Sequence, residues 1–263
     1  MPQSHQEPRQ GFSQHDKTIS PALVPWKRGD ASAYELKFVL DEKQSHEVES
    51  LLAGHLVRDP FALPELGSAY RINTVYCDTP AFEVFHGVGS SRRRKYRVRT
   101  YGAPDSRSLI YLERKTKVGQ KVRKKRATIE ASELAALSTF QPREGWHADW
   151  FHRQLLIRRL NPICCVSYLR TAYVGANDMG PIRLTFDRNL SGYATTGWLP
   201  NSAAEPIPFL AGRVVCEFKF RGTLPTLFKS AIQSLQLTSC GNSKYRHCLL
   251  AAAVATHQDK PHA

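Results

Sequence analysis

Charged residues recur two positions apart inside stretches that otherwise read as β-strand, and this pattern restricts the fold more than any other property of the chain. Glu35-Leu36-Lys37, Arg97-Val98-Arg99, Glu113-Arg114-Lys115, Arg123-Lys124-Lys125 and Glu217-Phe218-Lys219 carry it. Side chains alternate faces along a strand, so the outer members of each triplet share one face. A single such pair is harmless on a surface strand. Several, on separate strands, point to a shared interior with many cations and a few carboxylates. Such a lining suits a phosphate chain and a divalent metal.

The bulk properties agree with one large domain. The chain has 263 residues, a size that single β-barrels reach, and 41% of them are hydrophobic, enough for a packed core. There are 37 Lys+Arg against 23 Asp+Glu, a formal net charge of +14. Fifteen of those basic residues lie between Arg92 and Arg126, opposed only by Asp105 and Glu113. A field so concentrated recruits polyanions: nucleic acid, anionic lipid, nucleotide or inorganic polyphosphate. None of the six cysteines stands in a CxxC pattern, and they read as reduced core residues of a cytoplasmic protein. The N-terminus is polar, without the apolar core of a secretory signal. The longest apolar run, residues 248–255, is too short to cross a bilayer, so membrane association is expected only through a membrane-protein partner or surface charge.

Residues 1–32, rich in Gln, His, Ser and Pro, read as a disordered tail, 33–256 as the folded domain and 257–263 as a second tail. Strand patterns cover 34–40, 70–78, 93–101, 108–116, 121–130, 163–174, 182–190 and 213–220. Short turn-forming connectors make the third to fifth an antiparallel meander. Helical periodicity covers 41–56, 132–137, 146–160, 224–237 and 243–256, and 191–212 reads as a long loop. The fold class is therefore α+β, mainly β: an eight-stranded antiparallel barrel with helices outside, since closure also removes strand edges.

Each motif also has an ordinary structural reading. Tyr96-Arg97-Val98-Arg99 alternates strictly; its arginines match phosphate oxygens in paired geometry, or else form the wet face of an edge strand. Glu113 and Lys115 continue that face on the next strand, where a buried carboxylate is either neutralised by its cations or binds metal. In 121–126 the alternation is lost among basic residues; the assignment adopted places Arg123 and Lys125 inward and Lys124 and Arg126 at the rim or outside, although a slip of one residue exchanges the sets. Tyr168, Arg170 and Ala172 share a face, as do Arg183, Thr185 and Asp187. Glu217 and Lys219 interrupt an apolar strand, which rarely tolerates charge without partners or a role. Glu217 is the leading metal-binding carboxylate, ahead of Glu35 and Glu113; a structural ion pair is the competing reading. Ser243 and Lys244 open the last helix, where free N–H groups favour an anion, though Ser243 alone reads as a cap. No P-loop, dinucleotide, zinc-protease or nucleophile-elbow motif is present.

The order of these motifs resembles the vacuolar transporter chaperone (VTC) domain, one of the triphosphate tunnel metalloenzymes and a relative of the CYTH phosphatases. The resemblance rests on Glu35-x-Lys37, Tyr96-Arg97-x-Arg99, Glu113 to Thr116, Val122 to Arg126, Tyr168-x-Arg170-Thr171, Arg183 with Arg188, Glu217-x-Lys219 and Ser243-Lys244-Tyr245. It implies an eight-stranded tunnel that polymerises inorganic polyphosphate from ATP with Mn2+ or Mg2+. Lys37, Arg97, Arg99, Lys115, Arg170 and Arg183 would hold the nucleotide phosphates and the growing chain, with Arg123, Lys125, Lys219, Ser243 and Lys244 as further phosphate contacts. Glu217 would coordinate the metal. Ala33 stands where the hydrolase branch has its first glutamate, which favours the polymerase-like branch. A triphosphate hydrolase of the same fold is one alternative, and a non-catalytic polyanion-binding module is another. Nucleic acid is disfavoured, because only Tyr96, Tyr101 and Tyr111 interleave the basic band as stacking platforms.

Overall fold

The computed structural model describes residues 33–89, 93–102 and 109–258. The predicted tail over 1–32, the final residues 259–263, and Arg92, Asp105 and Arg107 of the basic band lie outside the described residues. The chain begins with β1 (Ala33–Asp41) and α1 (Glu42–Ala53). The two-residue β2 (Val57–Arg58), then β3 (Tyr70–Asp78) and the short α2 (Glu83–His86) follow. The meander β4 (Arg94–Tyr101), β5 (Ile110–Val118) and β6 (Lys121–Ile129) leads through a 3-10 helix (Ala131–Ser138) to α3 (Asp149–Arg158). Two long strands, β7 (Asn161–Asn177) and β8 (Gly180–Ala194), form a hairpin. The chain ends in β9 (Ile207–Pro208), β10 (Arg213–Phe220), α4 (Thr226–Ser234) and α5 (Lys244–Gln258).

The strands are hydrogen-bonded in the order β2-β7-β3-β4-β5-β6-β1-β10-β8-β9, and β7 also pairs with β8. That last pairing closes β1, β3 to β8 and β10 into an eight-stranded antiparallel barrel. The seam between β1 and β6 is narrow, with only Ala33 opposite Val122 and Tyr34 opposite Lys121. Further along β1 the Cys240 N–H donates to the Lys37 carbonyl at 2.8 Å, so the connector between α4 and α5 lies along that edge.

Two-residue alternation decides which side chains leave the barrel. On β1 and β10 the odd positions face in and the even positions face out. Phe38, Leu40, Cys216, Phe218 and Phe220 thus form an outer core with Val48 and Leu52 of α1 and Phe228 and Ala231 of α4. A second outer core joins Val75, Tyr96, Val98, Ile110 and Leu112 to Phe151 and Leu155 of α3. Burying some ten large apolar side chains per layer, at roughly 1.5–3 kcal/mol each, is the main force holding the helices to the wall. A capping box fixes the start of α1: the Gln44 N–H donates to Asp41 Oδ1 at 2.7 Å and the Asp41 N–H to Gln44 Oε1 at 3.2 Å.

A third apolar cluster lies on the inner face, where Ile72, Tyr76, Cys164, Val166, Leu190 and Val215 meet Tyr245 and Cys248 of α5. The helix approaches closely because residue 192 is glycine; a Cβ there would stand 2.5 Å from the Cys165 carbonyl oxygen and 2.6 Å from Cys248 Sγ. Cys77, Cys164, Cys165, Cys216 and Cys248 are buried thiols, and Cys240 is an exposed one.

The predicted loop over 191–212 is partly strand. β8 continues to Ala194, and β9 pairs with it at Ser191 and Gly192. The cause is Asn189, whose φ of 53° inserts an extra residue and shifts the inward set from odd to even positions. A strict period of two therefore ends one turn too early. Among the described residues no helix is long and apolar enough to cross a membrane.

Candidate functional site

The inward set of charges lines a cavity of about 1550 Å³ inside the barrel. Fifteen Lys or Arg and three carboxylates are among its described lining residues. The strands bring Lys37, Arg97, Arg99, Lys115, Arg170, Arg183, Glu217 and Lys219 together there, with Ser243 and Lys244 entering from the start of α5.

Most cations are held by a specific partner. Glu113, fully buried, accepts from Arg97 Nη2 at 2.6 Å, Arg126 Nη2 at 2.5 Å and Lys124 Nζ at 3.5 Å. Burial alone would raise its pKa, but Arg97, Arg99, Lys124 and Arg126 hold it well below the usual carboxylate range. Of the two fates open to this carboxylate, the structure shows neutralisation. Asp187, also fully buried, takes both forks of Arg170 at 2.6 and 2.7 Å and Lys244 Nζ at 2.7 Å. Glu35 accepts from Lys115 Nζ at 2.6 Å. Arg183 donates to Asp59 Oδ2 at 2.6 Å and to the Tyr70 hydroxyl at 2.8 Å. Arg99 donates to Thr74 Oγ1 at 3.2 Å and the Tyr168 hydroxyl at 3.3 Å.

Glu217 differs from the other four. Its nearest ion-pair partner, Lys37, stands at 3.9 Å, beyond hydrogen-bond range. Burial works against its charge, yet Lys115, Lys37 and Arg170 keep its pKa low, so it is ionised at neutral pH. No group of three or more metal-ligating side chains occurs among the described residues. One ionised carboxylate with only a long ion pair, set in a cationic lining, has the donor chemistry that a magnesium-type ion taking few protein ligands requires.

The predicted parity of 121–126 is reversed. Arg123 and Lys125 share the outward row, opposite Thr116 and Arg114, although Lys125 also borders the cavity; Lys124 and Arg126 share the inward row, opposite Lys115 and Glu113, with Lys124 half-exposed at the rim. The two sets exchange places because β6 is displaced by one residue from the assumed parity. Lys95 was not singled out, although it continues the same period as Arg97 and Arg99. It donates to Ser243 Oγ at 2.8 Å, and that oxygen also receives the Arg246 N–H at 3.4 Å, so Ser243 both caps α5 and lines the cavity.

The VTC domain profile matches residues 32–253, nearly the whole described chain. The chain belongs to the VTC domain family. This places it among triphosphate-binding tunnel enzymes. Two solved structures are similar to this VTC domain at low identity. One is a Bacillus halodurans protein provisionally described as an adenylate cyclase, 14% identical, covering 80% of this chain and 92% of its own, with a TM-score of 0.46. The other is the PH1819 protein of Pyrococcus horikoshii, 11% identical, covering 83% and 98%, with a TM-score of 0.41. No curated protein matches the sequence significantly.

Several lysines of the VTC cavity lack enough negative charge. Burial, with Lys37 and Lys115 nearby, pushes Lys95 down to about 7; burial, reinforced by Arg126 and Arg97 and opposed by Glu113, brings Lys124 to about 7. Lys37 and Lys219 are lowered too, chiefly by burial. A bound phosphate chain would restore both charges. Triphosphate affinity should therefore fall by about tenfold per lysine per pH unit above neutrality, with proton uptake on binding. Calorimetry in buffers of different ionisation enthalpy at pH 6.5 and 8.5 measures both. Stability runs the other way. The unfolded chain binds more protons than the folded one between about pH 7 and the ordinary lysine value of 10.5, so Lys95 makes the empty protein more stable as pH rises through that window; Lys124, with 42% of its side chain exposed, acts in the same direction but is screened by water. Lys95→Gln should raise the apo melting temperature at pH 7 and flatten its pH dependence.

Proposed function

We propose that this chain is a metal-dependent phosphotransferase that extends inorganic polyphosphate with the terminal phosphate of ATP. The carrying observation is the barrel cavity, open to solvent, whose lining is cationic on every barrel strand that contributes the family's motifs. Its volume of about 1550 Å³ exceeds the roughly 300–1,000 Å³ of a pocket for one small ligand, leaving room for nucleotide phosphates and an acceptor chain together.

In the transfer, the bond from the terminal phosphorus to the bridging oxygen of ATP breaks. A new bond forms to the end oxygen of the acceptor chain, and ADP leaves. Arginines fixed by buried carboxylates, Arg97 by Glu113 and Arg170 by Asp187, would hold oxygens of the transferring group without reorganising. The ammonium groups of Lys37, Lys95, Lys115 and Lys219 would neutralise charge along the chain. Glu217 would hold Mn2+ or Mg2+, which when bound supplies charge neutralisation at the phosphate oxygens. The acceptor oxygen is already anionic, so no general base is required. Hydrolysis instead needs an oriented water, and Glu35, Glu113 and Asp187 are all engaged by cations. That commitment favours transfer over hydrolysis.

Purified protein incubated with ATP and Mn2+ should yield ADP in step with a growing phosphate polymer on gels. Orthophosphate without polymer would identify the hydrolase. Tight, salt-sensitive polyanion binding with no turnover would identify a binding module.

A further inference from the structure

The misassigned strand residues lead to a second surface. On the outer face of β4, β5 and β6, Arg94 lies on the Thr116–Arg123 row and Arg114 opposite Lys125. Lys121 follows at the start of β6. Among the described residues none of these five side chains has a carboxylate partner, and Lys121, Arg123 and Lys125 are exposed. The strip is continuous with the cavity. The hairpin tip joining β5 to β6 carries Lys117, Gln120 and Val122 on the cavity lining, with Lys121 and Arg123 on its outside. Cations thus pass from the inner wall around the tip to the outer wall.

The aromatic rings on this face are already covered. Lys125 Nζ sits 4.4 Å and the Arg114 guanidinium carbon 5.8 Å from the centre of the Trp150 ring, and Lys121 Nζ sits 5.5 Å from that of Tyr34. Among the described residues, Trp150 and Tyr34 on this face already carry a cation over the ring, so nucleobases would compete with it to stack. A flexible chain of phosphates needs only charge.

We propose that this outer strip is a second binding site for inorganic polyphosphate, holding the part of a long chain that extends past the β5–β6 tip. The identity of the polymer rests on the reading given under Proposed function; the site itself does not require turnover. The doubly neutralised variant Lys121→Gln/Arg123→Gln, at two exposed positions outside the cavity lining and checked for an unchanged melting curve, tests it by binding alone. The probes are a fluorescent polyphosphate of about a hundred units and inorganic tripolyphosphate. The variant should lose roughly tenfold in affinity for the long chain at low salt, show a shallower salt dependence, and bind tripolyphosphate as before. If the variant melts early, Arg123→Gln alone, at an exposed position with no described partner, replaces it and should lose about threefold. Equal affinities of wild type and variant for the long chain overturn the proposal, as does an equal loss for both probes. So does a loss confined to single-stranded RNA or to vesicles containing phosphatidylserine. Failure of polymer synthesis with the long-chain loss intact would count against the enzymatic reading and leave the site standing.

Discussion

Glu217→Gln is expected to reduce metal-dependent turnover by about a hundred- to a thousandfold while leaving a folded barrel that still binds phosphate chains. The reasoning is local. Among the described residues, Glu35, Asp59, Glu113 and Asp187 are tied to cations at 2.5–2.7 Å, whereas the Glu217–Lys37 ion pair is 3.9 Å long. Its lone pairs face the cavity, and the amide preserves its volume. Deleting its charge makes the cavity more cationic, so metal-free tripolyphosphate should bind as well as before or more tightly. Mn2+ should lose its hold on the protein–triphosphate complex, which electron paramagnetic resonance reads without any turnover. Retention of wild-type Mn2+ binding and rate by the variant would refute the assignment of this side chain.

The barrel was legible in the sequence because two signals coincided on the same strands. Phe38, Leu40, Val98, Leu112 and Phe218 alternate with charges, so one face had to meet apolar helices and the other had to enclose something polar. Where that coincidence fails, reading fails. In 121–126 both faces are basic, and nothing in the hydropathy distinguishes Arg123 from Lys124. Only the partner strand does, through the pairing of Arg126 with Glu113. The extension of β8 was hidden for a different reason: the backbone at Asn189 breaks the period that identifies strands. Lys95 was readable from its spacing to Arg97 and Arg99. Asp59 and Tyr70 were not, because the short segment carrying Asp59 reaches Arg183 only through the β2–β7 pairing and the Asp59 N–H bond to the Ala172 carbonyl at 2.9 Å.

Glu113→Gln should behave in the opposite way to Glu217→Gln, with stability as its first casualty. Glu113 is a fully buried acceptor for two guanidinium forks and an ammonium, with Arg99 close enough to depress its pKa further. Removing one partner of a buried ionic cluster typically costs about 3–5 kcal/mol, because the remaining charges stay desolvated and now repel one another. For a domain of this size that corresponds to a fall of roughly 10 °C in melting temperature. Replacing a single cation is milder: Arg97→Gln leaves Glu113 still bonded to Arg126 and Lys124. The deficit of Glu113→Gln is also one that a ligand can offset. Tripolyphosphate would bring negative charge to the same guanidinium groups, so it should raise the melting temperature of Glu113→Gln by more than it raises that of the wild type. Differential scanning fluorimetry with and without tripolyphosphate decides it. A variant that melts like wild type would mean that water reaches the cluster and screens it. An equal ligand-induced rise in both proteins would mean that the phosphates do not contact Arg97 or Arg126.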